Sequence, residues 1–211
     1  MTEHNFSSMR AAMVESQLRT SDVDDPLVIA AMARVPRERF VPSERVAMAY
    51  IDRPVPLGGG RALNPPLATG RLLSELAVQP GEKVLLIGAA TGYAAALLAE
   101  IGAVVTAVET SDGPETATAE GVTLVRGPLA QGAAAGAPYD VLLVDGAVEE
   151  LPAALVEQLG EDARIATGIV ERGVTRLCTG RKAAGTFGLV GMIDMEMVVL
   201  PGFAAPERFV F

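Results

Sequence analysis

The sequence predicts an α/β protein with a mostly parallel sheet and helices on both faces, and two apolar segments carry this prediction. The first, Val84–Ile87, meets Gly88, passes through small residues to Gly92 and continues into the helix-prone stretch YAAALLAE. The second, Val104–Val108, ends at Glu109. Such runs are typical of buried parallel strands joined by a helix. In sheets of this kind the turn binds a nucleotide and the acid accepts hydrogen bonds from its ribose, so we expect a Rossmann-like core.

The residues before this core predict helices. Ser7 or Ser8 can cap a first amphipathic helix. Asp25 followed by Pro26 is typical of an N-cap and a first-turn proline, so a second helix is expected to begin there. A third helix is predicted over residues 43–50.

A proline- and glycine-rich stretch separates these helices from the core. Residues 51–66 hold four prolines and three consecutive glycines, which predicts an irregular loop. A helix over about residues 68–76 follows it. Further strands and helices are then predicted in alternation: strands at 122–125, 141–144 and 164–167, and helices at 94–100 and 152–158.

The C-terminal part departs from the alternating pattern. Residues 175–179 and 191–199 are predicted as the two strands of a β-hairpin, separated by the turn-rich GRKAAGTFG. We therefore expect one domain over residues 1–211. It would consist of a helical and loop segment at 1–66, the Rossmann-like core at 67–170 and C-terminal strands at 171–211.

Composition excludes several classes of function. The chain has 211 residues, of which 50% are hydrophobic, and a net charge of −9, so one sizeable folded domain is expected. No basic cluster is present, which argues against a nucleic-acid partner. No apolar stretch is long enough to span a bilayer and the first residues do not form a signal peptide, so we expect no membrane insertion and a cytoplasmic location.

The counts of cysteine and histidine restrict the chemistry further. The chain has one cysteine, Cys178, and one histidine, His4. An intramolecular disulfide, a Ser-His-Asp triad distributed through the fold and a multi-histidine metal site are therefore not expected. We predict no metal, and we interpret Cys178 as a buried small hydrophobic residue.

The order of several blocks resembles one known family. VPRERFVP, AYIDRPVPLGGG, KVLLIGAATGYAAALLAE, the strand end AVE and YDVLLVDGAVEELPAALVEQL follow one another in this chain. This arrangement is similar to that of the protein-L-isoaspartate O-methyltransferase family, from about Gln17 to the last residues. The resemblance implies that S-adenosyl-L-methionine is the cofactor. It also implies that the partner is a protein or peptide substrate, whose isoaspartyl carboxylate is methylated to begin repair.

The resemblance also assigns site residues. Asn64 stands where the family has the hydroxyl residue that lies at the reacting carboxylate. The positions expected to bind the cofactor are Gly88, Ala90, Gly92, Glu109 and Gly127.

Four features of the family's site are changed in this chain. They are the Thr-Ile-Ser-type triplet, which is Ala62-Leu63-Asn64; the middle glycine, which is Ala90; the acid two residues before the first glycine, which is Leu86; and the aspartate after Gly127, which is Pro128. Lost hydrogen bonds and the added β-carbon would weaken cofactor binding by roughly several hundredfold. The crossover after Glu109 is also short, so a full helix hardly fits there.

Two functions from different classes remain open. One is a carboxyl methyltransferase; the other is a non-catalytic descendant that is a binding module or an accessory subunit of a stable protein complex. Individual residues also have two interpretations. Asn64 could form an Asx-turn, Glu109 could be a solvated strand-end acid, and Asp145 could contact the ligand at the sheet edge. Asp52 is expected to hold its loop through backbone hydrogen bonds.

Overall fold

The computed structural model describes residues 3–204, and its backbone forms helices and strands in an alternating α/β order. The described helices are α1 Glu3–Met13, α2 Pro26–Arg34, α3 Pro66–Leu76, α4 Tyr93–Ile101 and α5 Ala153–Val156. The described strands are β1 Val55–Gly58, β2 Arg61–Leu63, β3 Lys83–Ile87, β4 Val104–Glu109, β5 Val122–Arg126, β6 Tyr139–Val148, β7 Leu159–Glu171, β8 Val174–Ala183 and β9 Thr186–Asp194.

Seven of the strands form one mixed sheet with the order β5-β4-β3-β6-β7-β8-β9. The strands from β5 to β7 in this order are parallel, and β8 and β9 add an antiparallel hairpin at one edge. Residues 84–87 of the central strand β3 have no exposed surface, as expected for a parallel strand covered on both faces. Clusters of buried apolar side chains fill both faces of the sheet. The predicted Rossmann-like fold with a C-terminal hairpin is confirmed.

The helical segment at the start is confirmed, but one predicted cap is wrong. Helix α1 already includes Ser7 and Ser8, so neither of them begins it. The Asp25 cap is confirmed, because its carboxylate accepts from the N–H groups of Leu27 and Val28 at 2.8 and 3.1 Å. The third predicted helix forms as a 3₁₀ helix over Ser43–Met48.

The stretch predicted as an irregular loop contains a small two-stranded sheet. Strands β1 and β2 pair antiparallel, with Val55 opposite Leu63 and both side chains buried. Three glycines, 58–60, form the turn, and all have positive φ angles. The glycines allow the tight reversal, and the apolar cross-strand pair holds the two short strands together. This hairpin places Arg61 and Asn64 beside the main sheet.

The C-terminal hairpin is longer than predicted, and its turn is tighter. Most of the segment expected to be a turn belongs to β8 and β9, which reverse at Ala184-Gly185 with φ angles of 51° and 73°. Strand β9 ends at Asp194, and Val199 forms only an isolated bridge to Ala147. The last predicted residues, 205–211, lie outside the described part of the chain.

The connection between β4 and β5 contains no helix over residues 110–121, as the short spacing predicted. The helix expected at 152–158 is also reduced, to the four residues of α5. No helix in residues 3–204 is long and apolar enough to cross a membrane.

Candidate functional site

The turn between β3 and α4 is the structural centre of the candidate site. Gly88, Ala90 and Gly92 all have positive φ angles, of 82°, 48° and 99°. Ala90 thus adopts the left-handed conformation that glycine accepts freely, at a cost of roughly 1–2 kcal/mol for an L-residue. The sequence predicted that a β-carbon at this position would restrict the approach of a ligand, and here it also strains the backbone.

The N–H groups of this turn bond to the protein itself. Those of Gly88 and Ala89 donate to the carbonyl of Val108 at 3.0 and 3.1 Å, and that of Gly92 donates to the carbonyl of Ala89 at 2.8 Å. The N–H of Ala90 donates to a Glu109 carboxylate oxygen at 2.5 Å. The donors of Gly88, Ala89 and Ala90 therefore hold the turn against the end of β4, and that of Gly92 closes the turn on itself.

Glu109 is fully buried at the end of β4 and forms a bidentate ion pair with Arg61. Arg61 Nε lies 3.1 Å from Glu109 Oε1, and Arg61 Nη2 lies 2.8 Å from Oε2. Oε1 also accepts from the N–H and the hydroxyl of Thr110, at 2.9 and 3.1 Å. The alternative interpretation of Glu109 as a solvated strand-end acid is therefore wrong.

These contacts also set the ionisation of Glu109. Burial by itself would raise the pKa of the carboxyl group. The charge and hydrogen bonds of Arg61, together with the N–H groups of Thr110 and Ala90, outweigh burial and lower this pKa below its ordinary value. Glu109 is thus a carboxylate whose charge is neutralised inside the protein.

Arg61 is a site residue that the sequence analysis did not identify. Its side chain is 4% exposed, and its Nη1 atom is buried with no protein partner among the described residues. The only sequence signal was an arginine that follows three glycines and alternates with Leu63 in a short strand. An inward-facing arginine needs an acid to neutralise it, but the sequence does not show which acid this is.

Asn64 lies between three chain segments. Its Nδ2 donates to Asp145 Oδ1 at 3.1 Å, and its Oδ1 accepts from the N–H of Val198 at 2.9 Å. Its carbonyl accepts from the buried guanidinium of Arg37 at 2.5 Å. Asn64 therefore connects separate parts of the fold, and its interpretation as a local Asx-turn is wrong.

Asp145 lies on β6 beside Asn64 and is 5% exposed. Its Oδ1 also accepts from the hydroxyl of Thr69 at 3.0 Å. Burial raises the pKa of this carboxyl group, against the opposing effects of Asn64, Thr69, Arg37 and Arg61. Asp145 is thus at the sheet edge as predicted, but its contacts are with protein groups.

Other parts of the chain cover the two glycines of the turn. A β-carbon at Gly88 would lie 2.8 Å from Cδ1 of Leu200, and one at Gly92 would overlap the carbonyl oxygen of Ala117. The loop that replaces the crossover helix is bonded to the turn, because the hydroxyl of Thr116 donates to the carbonyl of Ala90 at 2.6 Å. Leu200 and the backbone of Ala117 thus pack directly against the two glycines of the turn.

The remaining predicted positions lie near this edge. The N–H of Gly127 donates to the carbonyl of Glu109 at 3.0 Å, so the structure brings Gly127 to the end of β4. Asp52 accepts from the N–H of Leu67 at 3.0 Å, which confirms its role in holding the loop to α3. In residues 3–204 no group of three or more potential ligands is arranged to hold a metal ion.

The arrangement does not fit the ribose of the implied cofactor. Glu109 is the acid expected to accept from the ribose hydroxyls, and five hydrogen bonds from Arg61, Thr110 and Ala90 already reach its two oxygens. A carboxylate offers about four acceptor positions, so none remains for a ribose while Arg61 is bound.

The packing of Ala117 against Gly92 predicts an unequal cost of two glycine substitutions. Gly81→Ala and Gly92→Ala both place alanine at a positive φ, but only Gly92 is close to other atoms. We expect Gly81→Ala to cost about 1–2 kcal/mol of unfolding free energy. Gly92→Ala should cost about 1–3 kcal/mol more, because Ala117 must move. Urea unfolding of both variants measures the difference, and equal costs would contradict the packing described.

The lowered pKa of Glu109 predicts a pH-dependent effect of Glu109→Gln. At pH 7 the variant leaves Arg61 buried without its counter-charge, so it should be about 3–5 kcal/mol less stable than the wild type. A lowered pKa stabilises the folded state above the unfolded pKa of about 4.3, and this contribution disappears as pH falls through the folded pKa. The difference between wild type and variant should therefore shrink below about pH 4.3.

Urea unfolding at a series of pH values measures this effect, with Glu120→Gln as the matched control. Glu120 is exposed, so its substitution should change stability by less than about 0.5 kcal/mol at every pH. A Glu109→Gln difference that is the same at pH 7 and pH 3.5 would contradict the ion pair.

Comparison with known proteins agrees with the fold and identifies the family. Residues 8–198 match the family described as Protein-L-isoaspartate(D-aspartate) O-methyltransferase. A protein-L-isoaspartate O-methyltransferase of Koribacter versatilis (strain Ellin345) is 34% identical over 93% of this chain and 92% of its own length. One from Methylorubrum populi (strain ATCC BAA-705 / NCIMB 13946 / BJ001) is 37% identical over 88% of this chain and 94% of its own.

Solved structures show the same fold. A protein-L-isoaspartate O-methyltransferase superimposes with a TM-score of 0.80 at 23% identity, covering 92% of this chain and 66% of that one. A Plasmodium falciparum protein assigned the same activity, solved with S-adenosyl-L-homocysteine, gives a TM-score of 0.71 at 21% identity, covering 92% and 97%. With matches over nearly the whole chain, this protein belongs to the protein-L-isoaspartate O-methyltransferase family and has its class I methyltransferase fold.

Proposed function

We propose that this protein is an S-adenosyl-L-methionine-dependent carboxyl methyltransferase that acts on isoaspartyl residues of damaged proteins. The observation that carries the proposal is the near-full-length family match, and it is supported by the grouping of the candidate site residues at one edge of the sheet. The glycine turn, Glu109, Asn64 and Asp145 all lie at the carboxyl ends of β3, β4 and β6 or directly against them. This edge is where ligands bind in open α/β sheets.

The cofactor, when bound, would supply the methyl group, and the related Plasmodium falciparum protein was solved with its demethylated form. In the structure, Arg61 occupies acceptor positions on Glu109. This activity therefore requires the Arg61 side chain to move away from Glu109. Asn64 stands at the motif position of the family's hydroxyl residue, and its Nδ2 would donate to an oxygen of the substrate carboxylate. A protein substrate and a cytoplasmic location are part of this proposal.

The second candidate is a non-catalytic member of the family that binds a partner protein. Two observations favour it. The first is the closure of the site by Arg61. The second is the edge strand β9, on which Val190, Met192 and Ile193 are 64%, 49% and 48% exposed. An unpaired edge strand with exposed apolar side chains is typical of a protein interaction surface.

An isoaspartyl-peptide assay separates the two candidates. Purified protein is incubated with methyl-labelled S-adenosyl-L-methionine and one of two peptides that differ only in carrying isoaspartate or aspartate. The proposal predicts base-labile methyl ester on the isoaspartyl peptide alone. We expect slow turnover, because Asn64 Nδ2 replaces the family's hydroxyl and already donates to Asp145, and removing one oxyanion-type donor outright costs roughly a hundredfold or more in rate.

The Asn64→Ser variant is the matched test of the site. Restoring a hydroxyl at this position should raise the rate with the isoaspartyl peptide and leave the aspartyl peptide unmodified. Absence of methyl ester with both the folded wild type and this variant, at millimolar cofactor, would overturn the enzymatic proposal and favour the binding protein.

A further inference from the structure

We propose that Arg61 is a reversible latch on the cofactor site, which occupies the place of the ribose on Glu109 and must leave before a nucleoside cofactor can bind. The inference rests on the proposed function for the identity of the ligand. Arg61 is thus the residue that sets the affinity of this chain for its cofactor, although it would not contact the reacting atoms.

The guanidinium of Arg61 and the hydroxyls of a ribose compete for the same carboxylate, that of Glu109. A guanidinium presents two parallel N–H groups to a carboxylate, and Arg61 uses this geometry on Glu109 at 3.1 and 2.8 Å. The two neighbouring hydroxyls of a ribose present a similar pair of donors to the acid at this position of the fold. Because backbone groups of Ala90 and Thr110 hold the same carboxylate from other directions, Arg61 is the donor that a ribose must replace.

The position of Arg61 in the chain makes its departure feasible. It belongs to the two-stranded β1–β2 sheet, which is separate from the seven-stranded sheet. It directly follows the exposed glycines 58–60, whose surroundings hold no heavy atom within 4 Å of where a β-carbon would be. A glycine turn with open space around it allows the backbone to move at low cost.

The ion pair is also incompletely satisfied. Arg61 Nη1 is buried and has no partner among the described residues. The guanidinium therefore loses hydrogen bonds to water that the protein does not replace. A buried polar network that leaves a donor unpaired is less stable than a complete one. Movement of Arg61 to solvent would hydrate all its donors, and a ribose hydroxyl would take an acceptor position that Arg61 leaves on Glu109.

The test is calorimetric titration with S-adenosyl-L-homocysteine, which reports binding without turnover. The proteins are the wild type, Arg61→Met, Arg61→Lys and the control Arg164→Met. Arg164 also pairs with a partly buried acid, Glu82, but that acid directly precedes β3, at the sheet edge opposite to Glu109. The control therefore removes an ion pair and leaves the latch in place.

We expect Arg61→Met to bind S-adenosyl-L-homocysteine at least about tenfold more tightly than the wild type does. The gain arises because the guanidinium no longer competes with the ligand for Glu109. Arg61→Lys keeps a cation beside Glu109 but loses the two-pronged geometry, so its gain should be smaller. If Arg61→Met does not fold, the affinity of Arg61→Lys alone tests whether Arg61 competes with the cofactor. Arg164→Met should bind like the wild type.

The latch would be overturned if neither Arg61 variant bound S-adenosyl-L-homocysteine more tightly than the wild type. It would also be overturned if Arg164→Met gained as much affinity as the Arg61 variants. The peptide assay separates this result from the proposed function. Tighter binding by the Arg61 variants without methyl ester on any peptide would support the latch and remove the enzymatic proposal. Methylation with equal affinity in every variant would support the enzyme and remove the latch.

Discussion

The buried ion pair between Arg61 and Glu109 is the interaction on which the candidate site depends. It joins the β1–β2 hairpin to the end of β4, and the same carboxylate fixes the N–H of Ala90 in the turn. A buried carboxylate requires such partners, since an unpaired charge in this position would cost several kcal/mol. One pair therefore determines both the local stability and whether the strand-end acid is open to a ligand.

Other contacts at the carboxyl ends of the parallel strands surround the Arg61–Glu109 ion pair. Asn64 bonds to Asp145 and to the N–H of Val198, so the chain that follows β9 crosses the ends of the parallel strands. Leu200 packs on Gly88, and the carbonyl of Ala117 lies over Gly92. Asn64 and the two glycines of the turn are thus engaged in contacts within the protein, and any activity requires that these contacts rearrange.

The sequence predicted the sheet well, because period and apolar content report the burial of β3, β4 and β6 directly. The glycine turn, Glu109 and the family could also be inferred from residues near one another in the chain. The environment of Glu109 could not be predicted, because its partner Arg61 is distant in sequence and lies in a segment whose proline and glycine content suggested an irregular loop. The same holds for Asn64, whose partners come from three separate segments.

The most direct test of this account is a double-mutant cycle on the ion pair. Unfolding free energies of the wild type, Arg61→Met, Glu109→Gln and the double variant give the coupling energy, and the exposed pair Arg53–Glu196 serves as the reference. We predict a coupling of about 2–3 kcal/mol for the buried pair and less than about 1 kcal/mol for the exposed one. A coupling below about 0.5 kcal/mol for Arg61 and Glu109 would contradict the closed site.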